Sequence, residues 1–118
     1  MFSHVMIGAN DIEASKKFYD ASLAVFGYDE GVYDEHGRVF YFTPKGVLAL
    51  TKPINGEAAT HGNGSTIGLA AANPGLVDEW HKVGAANGGV PCEDPPGIRG
   101  TEERQLYLAY LRDPSGNK

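Results

Sequence analysis

Basic charge is scarce in this chain. Ten Lys and Arg stand against 15 Asp and Glu, a formal net charge of −5, and the pI is about 5.2. Nucleic acids and anionic membrane surfaces are bound through basic footprints, so neither is an expected partner. Cysteine is nearly absent: Cys92 stands alone, so no internal disulfide can form. It lies beside Glu93 and Asp94, a setting that disfavours a nucleophilic thiolate. No apolar run approaches the ~20 residues of a membrane span. The opening Met1-Phe2-Ser3-His4 lacks the charged and apolar regions of a secretory signal. A cytoplasmic location is the expectation.

What is present describes an ordinary globular chain. Of its 118 residues, 42% are hydrophobic and 21% charged, enough for one domain with a real core. The 16 glycines are spread along the chain and read as turns.

The chain then says nearly the same thing twice. His4-Val5-Met6-Ile7-Gly8-Ala9 runs into Asn10 and a helical pattern; Thr66-Ile67-Gly68-Leu69-Ala70-Ala71-Ala72 runs into Asn73 and a second one. Asn10, with Glu13 three residues on, forms a capping-box pattern. Ile12, Tyr19, Leu23 and Phe26 mark the buried face of the first helix, and Gly27 stops it. In the second helix Pro74 suits the first position. Leu76, Val77, Trp80 and Val83 face inward there, and Asn87-Gly88-Gly89 ends it.

Strand-like segments follow the first helix at 28–33, 38–43 and 47–51, separated by Glu35-His36-Gly37 and Pro44-Lys45-Gly46. Residues 52–64, with Pro53, Asn55-Gly56 and Asn63-Gly64, form a connector. After the second helix a short strand is expected near Val90, a loop over 91–103, and a long strand from Arg104 to Arg112. The reading is therefore one domain in two parts: a module over 1–51, and a second, incomplete one over 65–118. By the repeat, one more strand is expected after Lys118.

The residues His4-Val5-Met6-Ile7, Asp11-Ile12-Glu13-Ala14-Ser15-Lys16-Lys17-Phe18-Tyr19-Asp20, Leu23, Gly27-Tyr28, Gly62-Asn63-Gly64 and Asp113-Pro114-Ser115-Gly116-Asn117, in this order and spacing, resemble the vicinal-oxygen-chelate superfamily. This is the group of glyoxalase I, bleomycin-resistance proteins and extradiol dioxygenases. The chain looks most like its short glyoxalase-like members. The resemblance implies an α+β fold in which paired βαβββ modules form a curled mixed sheet around a central pocket, and it implies a homodimer. Metal-dependent members hold their metal with four inward residues, on the first and fourth strands of each module. Carried over, the first position falls on His4, the second near Ala49 and the third on Thr66. The fourth falls beyond Lys118. Ala cannot ligate and Thr is a poor ligand for Zn, Ni or Fe. His4 is the only ligand-type residue retained, so no cofactor is expected, with a divalent Zn, Ni, Fe or Mn ion as the alternative.

Each site residue also has a plain structural reading. His4 is the best catalytic candidate, yet it also suits a hydrogen-bonded pocket histidine. His36 and His61 fall in loops, although His61 precedes Thr66 closely enough to reach round a strand end. His81 lies on the second helix. Arg99 and Arg104, with Glu102-Glu103, read as a solvated loop, or as a grip on a substrate carboxylate or phosphate. The Gly62-Asn63-Gly64 loop lacks the context of a phosphate cradle. A pocket lined by His4, Met6, Tyr41, Thr51, Thr66, Arg104 and Tyr110 suits a small apolar or aromatic molecule. The expected function is small-molecule binding of the glyoxalase/bleomycin-resistance type, with a degenerate metal site. The alternatives are a metal-dependent lyase or dioxygenase acting on vicinal oxygens, and a metal-free isomerase or hydrolase with His4 as base.

Overall fold

The computed structural model describes residues 1–118. In chain order the elements are β1 (His4–Gly8), α1 (Ile12–Ala24), β2 (Val32–Tyr33), β3 (Val39–Thr43), β4 (Gly46–Thr51), α2 (Pro74–Ala86), β5 (Val90–Pro91), β6 (Gly97–Thr101), β7 (Arg104–Leu108) and β8 (Leu111–Arg112). The class is α+β, with no helix long and apolar enough to cross a membrane.

Helix α1 buries Ser15, Phe18, Tyr19, Ser22 and Leu23, the i, i+3, i+4, i+7, i+8 stripe of an amphipathic helix. Its N-cap is Asp11, whose carboxylate accepts the Ala14 N–H at 3.0 Å, and not the expected Asn10. Asn10 has other work. Its amide donates to the Ala59 carbonyl at 3.0 Å and accepts the Ala59 N–H at 2.7 Å. Its own backbone N–H donates to Ser115 Oγ at 3.0 Å. Two adjacent capping residues offered two solutions, and the connector took one of them. At the other end Gly27 adopts φ +82°, the left-handed conformation that closes helices. Helix α2 starts as its sequence predicts: Asn73 accepts the Leu76 N–H at 3.0 Å and Pro74 leads.

The first half forms one four-stranded sheet in the order β1-β4-β3-β2. Strands β1 and β4 run parallel, with His4 opposite Val47, Met6 opposite Ala49 and Gly8 opposite Thr51. Strands β4 and β3 run antiparallel, pairing Ala49 with Phe40 and Val47 with Phe42. Alternation then divides the side chains. Val5, Ile7, Val39, Tyr41, Leu48 and Leu50 pack with α1 in the core. His4, Met6, Phe40, Phe42, Val47, Ala49 and Thr51 share the opposite, open face.

The second half does not repeat this sheet. It holds two separate two-stranded ladders, β5 with β8 and β6 with β7. The strand expected over 65–72 is not part of any ladder. Its backbone–backbone bonds are the Ser65 N–H to the Gly62 carbonyl, within a turn, and the Ile67 N–H to the Lys118 carbonyl, both at 3.0 Å. In the first half β4 lies between β1 and β3, and no strand takes that place between 65–72 and 107–112. The curled sheet is therefore not closed. The long strand expected over 104–112 is divided into β7 and β8, interrupted at Ala109-Tyr110. The expected loop over 91–103 contains β6, whose glycines disguised it. Gly100 takes φ +107° inside the ladder, a conformation glycine adopts without strain.

Candidate ligand site

Two depressions meet at Met6 on the open sheet face. The larger, a cleft of about 920 Å3, is floored by Met6 and Thr51 and rimmed by Tyr33, His36, Arg38 and Lys52. The smaller, about 330 Å3, runs from Met6 to His61, Ser65 and Asn117. Register sets the floor: Met6 lies beside the buried Ala49, and Gly8 lies beside Thr51. The turn between β2 and β3 raises the rim. There Arg38 Nε donates to Asp34 Oδ2 at 2.6 Å, and the Asp34 carboxylate also accepts the backbone N–H groups of His36 and Arg38. Partial burial pushes the Asp34 pKa up, but Arg38 and the two N–H donors outweigh it and hold the carboxyl below its ordinary value. Lys52 makes no ion pair. The cleft is mostly polar: Asn10, Asp11, Glu13, His36, Arg38 and Lys52 line it, and its apolar part is Met6, Ile12, Tyr33 and Ile54.

The structure brings only some of the expected residues together. Met6 and Thr51 share the cleft. Thr66 and Tyr110 lie elsewhere, in an apolar cavity of about 180 Å3 between α2 and the open backbone of the second half. Tyr41 is a correction. It points to the helix side of the sheet, is buried, and its hydroxyl donates to Asp20 Oδ1 at 3.0 Å. Burial first, and then the Asp20 carboxylate, push the Tyr41 pKa well above its ordinary value. Asp20 itself is opposed by burial, but Lys16 at 2.6 Å, the Gly31 N–H and Tyr41 bring its pKa below the usual value. This cluster fastens β3 and the Gly31 turn to α1. Arg104 is a second correction: it opens β7, exposed, opposite Thr101, and lines none of these depressions. Arg99 is taken up by its own loop, donating to the Asp94 and Pro95 carbonyls at 2.9 and 2.8 Å.

His4 reaches the open face but is exposed, with Nδ1 2.9 Å from Ser3 Oγ. Its register partner is Val47, and Ala49 sits one pair further along. No three His, Cys, Asp or Glu side chains of this chain converge on a possible metal position. The donor set on this face does not fit the metal centre that the resemblance implies.

The terminal Asp113-Pro114-Ser115-Gly116-Asn117 motif is structural. The buried Asp113 carboxylate accepts four hydrogen bonds. They come from the Tyr19 hydroxyl at 2.9 Å, the Asn117 amide at 2.8 Å and the backbone N–H groups of Ser115 and Asn117, both at 2.9 Å. The Asn117 amide also donates to the Gly8 carbonyl at 2.9 Å. The motif therefore clamps the second half to α1 and β1. Burial, followed by the Asp113 charge, drives the Tyr19 pKa well above its ordinary value.

Sequence reasoning missed the rim. Tyr33, His36, Arg38 and Lys52 sit in or beside turns, where no periodicity fixes direction. The available signal was their common position at one end of the sheet, beside Thr51.

The fold is a βαβββ-based module whose first sheet keeps one face open. Residues 1–118 match the family model described as the Glyoxalase/Bleomycin resistance protein/Dioxygenase superfamily, and the chain belongs to that superfamily. Among solved structures, a glyoxalase/bleomycin resistance protein from Albidiferax ferrireducens T118 is 57% identical, with a TM-score of 0.93 over 98% of this chain and 93% of that one. A lactoylglutathione lyase from Agrobacterium tumefaciens is 27% identical, with a TM-score of 0.63 over 99% of this chain and 88% of that one. A glyoxalase-related enzyme from Fulvimarina pelagi, 21% identical with a TM-score of 0.74 over 99% and 83%, shares the fold. No curated protein matches the chain.

Proposed function

We propose that this protein binds a small apolar or aromatic molecule on the open face of the β1-β4-β3-β2 sheet, in the manner of a binding protein and not of a metal-dependent lyase. The observation that carries the reading is the make-up of that face. Met6 is 40% and Phe42 68% exposed, and the Phe40 and Phe42 rings stack at 5.9 Å. Apolar side chains in this number on one sheet face are costly to leave in water. The cleft beside them supplies a cation at Lys52 and hydroxyls at Tyr33 and Thr51 to orient a bound molecule.

A second copy of the chain covering part of this face belongs to the same reading, since Val32, opposite Phe40, is also exposed. The single free Cys92 supports a cytoplasmic setting. The lyase reading draws on the 27% identical Agrobacterium protein. It would require donors next to His4 where this chain has Val47 and Ala49.

The test is a screen of aromatic and apolar compounds by calorimetry, against the wild type and Met6→Glu. The reading expects hits whose affinity falls tenfold or more in the variant. Near-stoichiometric Zn, Ni, Fe or Mn in protein purified without chelator, lost in His4→Ala, would overturn it in favour of the lyase.

A further inference from the structure

The open face of the first sheet is not uniform along its length. Arg38, Phe40 and Phe42 follow one another at every second residue, so alternation places all three on this face. Their side chains form one column. The Arg38 guanidinium carbon lies 5.3 Å from the Phe40 ring centroid, and the Phe40 and Phe42 rings stack at 5.9 Å with 14° between their planes. A flat aromatic molecule matches such a column, since it stacks on rings and on a guanidinium plane alike. The basic groups gather at one end. Arg38 and Lys52 line the cleft beside Thr51. At the other end Phe42 pairs with Val47, and Val47 with His4; Lys45, in the turn beyond, lines neither depression on this face. Arg38 gives Nε and Nη2 to Asp34, which leaves Nη1 without a partner, and Lys52 has no ion pair. His36 Nε2 lies 3.6 Å from Glu35. Three carboxylates limit what this end accepts. Asp34 is held by Arg38, Asp11 caps α1, and Glu13 also lines the cleft. Together they oppose a second negative charge on an occupant.

We propose that the molecule bound on this face is a planar aromatic monocarboxylate, with its ring over the row Met6, Ala49 and Phe40 and its carboxylate between Arg38 and Lys52. The inference rests on the open-face reading given above and adds to it a charge and a direction. Hydrogen bonds from a guanidinium and an ammonium to a carboxylate are charge-assisted and stronger than those to a neutral amide. A phosphate, with its second charge, meets the repulsion of Asp11, Glu13 and Asp34.

The experiment is calorimetry on the intact protein near neutral pH with three probes: 2-naphthoate, its uncharged amide 2-naphthamide, and 2-naphthyl phosphate. The proposal expects the wild type to bind naphthoate about tenfold more tightly than naphthamide, and more tightly than the phosphate. Lys52→Gln, at an exposed position, should remove most of that advantage while leaving the naphthamide affinity unchanged. Met6→Glu should weaken both. Equal affinity for acid and amide, with both lost in Met6→Glu, would overturn the carboxylate and leave the open-face reading standing. Binding of neither compound would overturn both. Tighter binding of the phosphate would overturn the single charge. A naphthoate advantage that survives Lys52→Gln would also overturn the proposal, and its loss in His4→Ala would put the acid at the opposite end of the face.

Discussion

The two halves of this molecule begin with the same pattern and end in different physical states. Of the eight residues that make up the central core, seven come from the first half; Leu111 alone comes from the second. Helix α1 buries five residues, whereas α2 fully buries only Gly84. The difference lies in the strands beneath the helices. Strand β4 gives β1 and β3 a shared neighbour, so Leu48 and Leu50 have a continuous surface on which α1 can rest. No strand does this for 66–72, and the apolar face of α2 looks into a cavity. A repeat in sequence is thus a statement about local preference. Burial depends on whether each strand finds its neighbour.

Paired core truncations sharpen this contrast most. Leu50→Ala should cost about 2–5 kcal/mol, as for a fully packed leucine. Val77→Ala, half-exposed on α2, should cost less than about 1 kcal/mol. Denaturant unfolding measures both, and equal losses would break the contrast. Next come the clamps that hold the halves together. Asp113→Ala strands the buried Tyr19 hydroxyl and two backbone N–H groups, and should cost about 3 kcal/mol. Tyr19→Phe, which removes a single bond to that carboxylate, should cost about 1.5 kcal/mol.

The Asp20 cluster adds a pH dependence that belongs to the first half. Its folded pKa is lowered, so its contribution is fully present above the unfolded value of about 3.9. That contribution fades as pH falls through the lower folded value. Asp20→Asn should be less stable near neutrality and should lose less stability on acidification below about pH 4 than the wild type. Thermal unfolding across this range reads the difference. The smallest effect is expected at Ser22, buried on α1 with its hydroxyl unpaired. Ser22→Ala should leave stability unchanged or raise it by up to about 1 kcal/mol.

The sequence carried the fold class because the βαβββ pattern is local. Helical spacing at Tyr19, Leu23 and Trp80 and alternation over 47–51 need no knowledge of neighbours. It failed where an outcome depends on partners far along the chain. Residues 66–72 have strand character but no ladder. Residues 97–101 look like loop yet pair with 104–108. Asn10 looks like a cap yet holds Ala59 and Ser115. The site followed the same division. The positions of Met6 and Thr51 on the sheet face opposite α1 were legible from strand alternation. Tyr41 was assigned to the wrong side of its strand, because an aromatic run, Phe40-Tyr41-Phe42, does not say which face is inside. The Asp20 carboxylate and Gly31 N–H that hold Tyr41 come from α1 and a turn. The rim residues Tyr33, His36, Arg38 and Lys52 sit in or beside turns, which periodicity does not orient.

The central claim is that ligands engage the open sheet face of the first half. The chain offers two separate reporters for it: Met6, one of two methionines, and Trp80, the only tryptophan. Methyl-labelled methionine and the indole N–H signal can be followed in one sample while aromatic and apolar compounds are added. The account predicts that binding compounds shift the Met6 methyl signal and leave the Trp80 indole signal in place. Compounds that shift Trp80 and leave Met6 unmoved would contradict it.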